Sequence, residues 1–145
     1  MKTHQLHPWS LTAEQARSIQ RNLANWIVTA DDPREPKLVA RIQLHPSPKE
    51  EIGSESATVT LYALPSMEVI GRKHAIKNTQ FLRIEGMLCF RKSLAAIAAL
   101  EKLPQEPDLL ICDGRCRLGR QADHRRSAVD DHPHRFSANH NVHIK

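Results

Sequence analysis

The chain of 145 residues contains no hydrophobic run long enough to cross a membrane. Its longest run, residues 94–100, is far shorter than the roughly 20 residues that a spanning helix needs. No apolar stretch of the kind found in secretory signals follows the first residues either. We therefore expect a cytoplasmic protein that makes no contact with a membrane.

Cysteine and aromatic residues are also scarce. The chain has three cysteines and an aromatic content of 4%. Cys112 and Cys116 lack further ligands at the spacing of a zinc site, so a metal knuckle is excluded. Cys89 and Cys112 lie in apolar runs, and free cysteines in such runs are usually small buried hydrophobes.

Positive charge is present but unevenly distributed. The formal net charge is +5, and residues 115–145 supply +4 of it, which leaves residues 1–114 nearly neutral. This tail contains six arginines and five histidines but few large apolar residues, so we expect it to be disordered. Its histidines match no standard metal site, and its arginines could bind phosphates without sequence specificity.

Hydrophobic periodicity predicts two helices and four strands. An amphipathic helix is expected over residues 12–30, capped by Ser10 or Thr12, and Trp26 should pack against the core. Strands are expected over 37–44, 57–63, 68–76 (interrupted by Gly71) and 109–113. Residues 46–56 are a predicted loop and residues 77–92 an irregular segment, and Ser93 should cap a second helix over 93–103.

The order of these elements predicts an α/β fold. The short turn at residues 64–66 makes the second and third strands a hairpin, so the first three strands form an antiparallel meander. A crossover helix then leads to a strand parallel to the first. This is the opening half of a ribonuclease-H-like sheet, in which acidic side chains of the first and fourth strands converge on divalent metal. The apolar run 109–112, expected to be buried on both faces, ends in Asp113, where ligands gather in such sheets.

Three segments resemble the N-terminal half of endonuclease V. They are residues 64–70 (LPSMEVI), 86–91 (GMLCFR) and 107–114 (PDLLICDG). The pieces occur in the family's order at nearly its spacing, and the resemblance covers residues 10–114. It implies a metal-dependent nuclease that cleaves near deoxyinosine in DNA and inosine in RNA. It also implies a Mg²⁺ site made by carboxylates of the first and fourth strands and by a glutamate after a Phe-Arg pair.

The sequence departs from the family at most of these positions. The first-strand motif Ala-Gly-x-Asp aligns with residues 40–43, which places Gln43 at the acidic position. The family glutamate falls on Lys92, and only Asp113 keeps a carboxylate. The resemblance also assigns Arg83, Gly86 and Arg91 to nucleic-acid contact, Arg91 being equally consistent with a surface position. The family's Pro-Tyr-Ile-Pro-Gly wedge aligns with residues 82–86, which lack its prolines and tyrosine.

These departures favour a truncated endonuclease V-like protein, a DNA-repair nuclease by ancestry that lacks catalytic activity as written. Residues 115–145 do not continue the family pattern, and we hypothesise that the tail is out of frame with an ancestral gene. One alternative is a non-catalytic module that binds nucleic acid through the basic tail. Another is an enzyme whose missing carboxylates come from a partner chain. An exposed sheet edge after the fourth strand would also invite self-association.

Overall fold

The computed structural model describes residues 3–27, 34–46 and 53–113. These residues form two helices and a four-stranded sheet, and the α/β class expected from the sequence is confirmed. In chain order the elements are α1 (Ala13–Ala24), β1 (Leu38–Leu44), β2 (Gly53–Ala63), β3 (Glu68–Thr79), α2 (Cys89–Leu100) and β4 (Leu109–Asp113). Neither helix is long and apolar enough to span a membrane.

Helix α1 begins with a complete capping box. Thr12 accepts a hydrogen bond from the Gln15 amide at 3.2 Å, and its own amide donates to Gln15 Oε1 at 2.9 Å. This exchange satisfies two amides that the first turn would otherwise leave unpaired. The helix ends earlier than predicted, at Ala24, and Trp26 beyond it is 68% exposed. The packing role expected for Trp26 is therefore wrong, and residues 28–30 of the predicted helix lie outside the described residues.

The sheet has the predicted topology, with the strand order β3-β2-β1-β4. The first three strands are antiparallel neighbours, and β4 pairs in parallel with β1. The interruption expected at Gly71 coincides with a register shift opposite Leu61 and Tyr62. Because β1 and β4 are parallel and adjacent, their carboxyl ends lie side by side at one end of the sheet.

Strands β2 and β3 are longer than the sequence suggested. Their pairing extends to Gly53 opposite Thr79, so the loop expected up to residue 56 and the irregular segment expected from residue 77 are both partly wrong. The sequence does not indicate this extension because its residues are mostly polar. Two of them pair across the strands: the Ser54 hydroxyl donates a hydrogen bond to Asn78 Oδ1 at 2.8 Å. Glu55, a residue typical of loops, is instead buried.

Helix α2 starts at Cys89, one turn before the predicted start at Ser93. Leu88 holds the N-cap position without a side-chain hydrogen bond, so the usual capping signal is missing from the sequence. The helix places alanines against the sheet, and this contact forms the main core. Its buried members are Ala40, Ile42, Ala57, Val59, Leu61, Ala75, Ala95, Ala96, Ala99, Leu100 and Leu103.

The two faces of the sheet differ sharply. Helix α2 covers one face, to which Ala40 and Ile42 of β1 belong. Side chains alternate along a strand, so Arg41 and Gln43 belong to the opposite face, called the open face below. Among the described elements, α2 alone packs extensively against the strands. Strand β4 lies at one edge of the sheet that the described residues form, and the burial expected for it on both faces is wrong: Ile111 and Cys112 are exposed.

Candidate functional site at the ends of β1 and β4

Gln43 and Asp113 are cross-strand neighbours at the carboxyl ends of the two parallel strands. Both belong to the open face, so the side chains project on the same side of the sheet. The fold thus brings together two positions that the sequence singled out, although 70 residues separate them in the chain. In open α/β sheets this end is where ligands bind.

Of Gln43 and Asp113, only Asp113 has a carboxylate, and the guanidinium of Arg41 is bound to it. Arg41 Nε donates to Asp113 Oδ2 at 2.7 Å, and Arg41 Nη2 lies 2.5 Å from the same oxygen. The hydrogen bond and the charge of Asp113 both raise the pKa of Arg41. Sequence reasoning missed this contact, although a signal was available: Arg41 and Gln43 are two residues apart on one strand and must share a face.

Lys92 places a second cation near this end of β1. It lies in the first turn of α2, and its Nζ donates to the carbonyl oxygen of His45 at 3.3 Å. His45 is the first residue after β1, two positions beyond Gln43. An ammonium can donate hydrogen bonds but cannot coordinate a metal ion while it is charged.

These residues do not suit a magnesium ion. Mg²⁺ requires oxygen ligands, typically one or more carboxylates, in octahedral geometry. The carboxylate of Asp113 is already bound by Arg41, Gln43 offers one neutral amide oxygen, and Lys92 offers none. Within residues 3–27, 34–46 and 53–113, no group of three or more His, Cys, Asp or Glu side chains could hold a metal.

The segment aligned with the family wedge leaves the sheet at the same end. Residues 82–86 follow β3, whose last residue pairs with the start of β2, next to the end of β1. Arg83 and Gly86 are exposed. Gly86 has φ +78°, a backbone conformation that glycine adopts without steric cost, and its carbonyl accepts a hydrogen bond from Gln20 at 3.3 Å. The predicted contacts of Arg83 and Gly86 with nucleic acid stay predictions.

Arg91 does not occupy the surface position considered for it. The residue is 1% exposed, and its Nε donates to Glu55 Oε1 at 2.8 Å within the protein. Its Nη1 donates to the carbonyl of Phe81 at 2.9 Å, so the side chain ties α2 to β2 and to the segment after β3. A guanidinium enclosed in this way is not exposed to a phosphate, because a buried ion pair excludes solvent and ligand alike.

A cavity of about 490 Å³ lies elsewhere, between the N-terminal segment and α2. Its lining includes Trp9, Phe90 and Ser93 but neither Gln43 nor Asp113. We therefore place the candidate site at the strand ends, where the topology and the sequence positions agree.

The meander, crossover helix and parallel fourth strand define a partial ribonuclease-H-like α/β fold, with Gln43 and Asp113 side by side at its strand ends. The sequence model of the Endonuclease V family matches residues 21–122, which is more than two thirds of the chain. The chain therefore belongs to the endonuclease V family. The match extends eight residues beyond Gly114, past the boundary at residue 114 that the sequence patterns suggested.

Individual relatives agree with this assignment. The endonuclease V of Trichormus variabilis is 36% identical over 117 residues, which cover 79% of this chain and 52% of the relative. That of Gloeobacter violaceus is 34% identical over 109 residues, covering 75% and 44%. The chain thus spans about half the length of the curated relatives that it matches.

Solved structures show the same fold. The endonuclease V of Bacillus subtilis superimposes with a TM-score of 0.70 at 25% identity, covering 79% of this chain and 49% of that one. A structure of Ciona intestinalis endonuclease V has a TM-score of 0.58 at 21% identity, covering 72% and 47%. It holds a 23mer DNA that contains an inosine followed by a ribo-adenosine.

Proposed function

We propose that this chain is an endonuclease V-like protein that has kept its family's affinity for inosine-containing nucleic acid and has lost Mg²⁺-dependent cleavage. The observation that carries the proposal is the ion pair between Arg41 and Asp113. The DNA complex of the Ciona relative supports the class of partner. The chain spans about half the length of its relatives. That it recognises inosine in particular is therefore also part of the proposal.

The charges at the site argue against a catalytic metal. In the family pattern, positions 41, 43 and 92 carry a glycine, an aspartate and a glutamate, whereas this chain has Arg41, Gln43 and Lys92. Each change removes negative charge or adds positive charge. A divalent cation would have to displace the guanidinium from Asp113 and would then be held by a single carboxylate. Water competes well against so few ligands, since Mg²⁺ is reluctant to lose its hydration shell.

The first test compares metal binding by calorimetry. We expect no Mg²⁺ uptake by the full chain and no cleavage of an inosine-containing oligonucleotide in Mg²⁺. The triple variant Arg41→Gly, Gln43→Asp, Lys92→Glu should gain measurable Mg²⁺ affinity, because it restores three family residues at once. The matched control Arg41→Gly, Gln43→Asn, Lys92→Gln removes the cations without adding carboxylates, and it should bind no metal. Mg²⁺ uptake by the original chain, or cleavage that Asp113→Ala abolishes, would contradict the proposal.

A second candidate function is favoured by charge alone. Residues 115–145, which lie outside the described residues, carry a net charge of +4 and could attract nucleic acid without a folded site. Replacing Arg125 and Arg126 by glutamine should then weaken the binding of every oligonucleotide equally, with or without inosine. A preference for inosine that survives this change would favour recognition by the folded part.

A further inference from the structure

Helix α1 and residues 3–12 lie outside the main core and contact a second, smaller core. The buried members of this smaller core are Ala16, Phe81, Met87 and Phe90. It shares no buried residue with the main core, although α2 contributes to both. Among the described elements, α1 makes no extensive contact with any strand of the sheet. The smaller core therefore attaches α1 to α2 and to the segment before it, and not to the sheet.

Helix α1 buries little apolar surface at this attachment. Of the α1 residues, all of which the structure describes, Ala16 alone is buried, and Ile19 is partly buried. Hydrophobic stabilisation grows with the apolar area removed from water, so a buried alanine contributes less than a larger side chain would. The capping box stabilises the start of α1, but its hydrogen bonds lie within the helix and do not hold it against the rest of the protein. Separating α1 from the smaller core therefore costs little free energy.

Residues 3–9 lie along α2 and pack loosely against it. The Thr3 hydroxyl donates an exposed hydrogen bond to Glu101, just after the end of α2. Further along the segment, the His7 ring contacts the Phe90 ring near the start of α2, with the ring centres 5.4 Å apart. Cavities of about 490 Å³ and 190 Å³ adjoin this segment. Protein interiors are normally close-packed, and a gap removes dispersion contacts from the atoms that line it. The segment therefore adds little to the attachment of α1.

The segment of residues 82–87 depends on α1 for its position. Ile84 and Met87 pack in the smaller core together with α1. The Gln20 side chain of α1 donates a hydrogen bond to the Gly86 carbonyl at 3.3 Å. The segment belongs to no helix or strand, and the amides of Ile84 and Met87 donate to carbonyls two and three residues earlier in the chain. Separation of α1 would therefore free this segment from its main support.

We propose that α1 and residues 3–12 form a detachable cover, which opens as one unit while the sheet and α2 stay folded, and whose opening frees residues 82–87. The main core contains no residue of the cover. The bond from Arg91 to Glu55 keeps α2 attached to β2 when the cover is open. Parts of a protein with few buried apolar contacts open at a lower free energy than its core. The inference goes beyond the proposed function, because the opening requires neither metal nor nucleic acid.

Hydrogen exchange of the full chain, followed amide by amide with NMR, tests the proposal. The amides of α1 should have protection factors at least about 100-fold lower than those in the centre of β1 and β2. The opening free energy of α1 should also fall with urea at less than about half the slope found for β2, since this slope scales with the surface exposed on opening. Equal protection factors or equal slopes in α1 and β2 would mean that α1 opens only when the whole protein unfolds, and would overturn the proposal.

A substitution in the main core separates local opening from global unfolding. Val59 of β2 is fully buried in that core, and Val59→Ala should lower the protection of the β2 amides about tenfold or more. The protection of α1 should stay unchanged, because the closed and the open forms of the cover lose the same contact. A decrease of equal size in α1 and β2 would overturn the proposal. If Val59→Ala does not fold, the urea slopes of the original chain decide the same question.

A substitution in α1 tests whether residues 82–87 open together with the cover. Ile19→Ala removes a side chain that packs in the smaller core, and it should lower the protection of α1 and of the Ile84 and Met87 amides by the same factor, at least about threefold. Ser18→Ala is the matched control, because Ser18 is the exposed neighbour and should leave all these amides unchanged. Alanine is the better helix former at both positions, so a loss in Ile19→Ala cannot come from weaker helix propensity. Unchanged exchange at Ile84 and Met87 in Ile19→Ala would overturn the proposal.

Discussion

Arg91 and Glu55 form an ion pair inside the protein, with both side chains at most 2% exposed. Glu55 Oε1 accepts a hydrogen bond from Arg91 Nε, whereas Glu55 Oε2 is buried and has no hydrogen-bond partner among the described residues. A charge in such surroundings depends on its counter-ion, because burial removes the water that would otherwise solvate it. Arg91 is therefore a structural residue, although it lies in a segment that resembles a functional motif of the family.

We expect Arg91→Met to lower the free energy of unfolding by about 3–5 kcal/mol, because it leaves the Glu55 charge buried and unpaired. Urea denaturation followed by circular dichroism measures the change. The double variant Glu55→Met, Arg91→Met is the control and should recover most of the loss, since it removes both charges. A cost below about 1 kcal/mol for the single variant would mean that Glu55 is solvated, contrary to its burial.

Single positions in the candidate site were predictable from the sequence to different degrees. Gln43 and Asp113 could be paired in advance because both end strands whose order in the sheet follows from the topology. The contact between Arg41 and Asp113 was not foreseen, since it depends on the register of β1 against β4 as well as on their adjacency. The burial of Arg91 was not foreseen because its partner Glu55 lies in a stretch that looks like a polar loop.

The elements themselves were mostly predictable, and their ends were not. Alternating hydrophobicity and the continuous apolar run 109–112 located the four strands of the described sheet, and the alanine-rich stretch located α2. The first turn of α2, which the sequence did not predict, follows Leu88, whose side chain makes no capping hydrogen bond. Ser93 was therefore the nearest residue typical of a helix N-cap. An apolar run such as 109–112 has the same pattern in a central strand and in an edge strand, which explains why the exposure of β4 was not anticipated.

Asp108 fastens β4 to β1 where the two strands begin. Its Oδ2 accepts hydrogen bonds from the Leu38 and Lys37 amides, both at 2.9 Å, and its own amide donates to the Leu38 carbonyl at 2.8 Å. The hydrogen bonds from Leu38 and Lys37 lower the pKa of Asp108 below its ordinary value. The carboxylate therefore contributes stability above its unfolded pKa of about 3.9, and this contribution disappears as the pH falls through the lower folded pKa.

We expect Asp108→Asn to destabilise the protein by about 1 kcal/mol at pH 7, since charged acceptors bond amides more strongly than neutral ones and this site is exposed. At a pH below the folded pKa the original chain carries a neutral carboxyl, and the difference between the two proteins should shrink. Urea midpoints at pH 7 and pH 2.5 measure both values. A difference that stays constant between these pH values would show that the charge of Asp108 does not matter.

At the scale of the whole molecule, the described sheet ends in two edges of different character. Strand β3 carries Arg72, Lys73 and Lys77, and charged side chains of this kind discourage pairing with another chain. Strand β4 is short and has Asp113 as its one charged residue, and Ile111 in its middle is 40% exposed. If the self-association predicted from the sequence occurs, we expect it at the β4 edge of the described sheet.

We expect the chain to form dimers at micromolar concentrations through this edge, as measured by sedimentation velocity. Ile111→Glu should shift the population to monomers, because a charge on an edge strand opposes pairing, while Arg41 opposite it can accommodate the carboxylate. Ile76→Glu on β3 is the matched control and should leave the dimer intact. Equal dissociation by both variants would place the contact on the open face instead of the β4 edge.

The Arg41–Asp113 pair makes the effects of substitutions at this site depend on one another. Restoring an aspartate at position 43 by itself would set two carboxylates side by side with the guanidinium still bound to one of them. Reverting Arg41 by itself would leave Asp113 alone beside a neutral amide. Under the proposed function, neither change alone would give the site two carboxylates free of the guanidinium, so a gain of Mg²⁺ affinity would require at least two substitutions together.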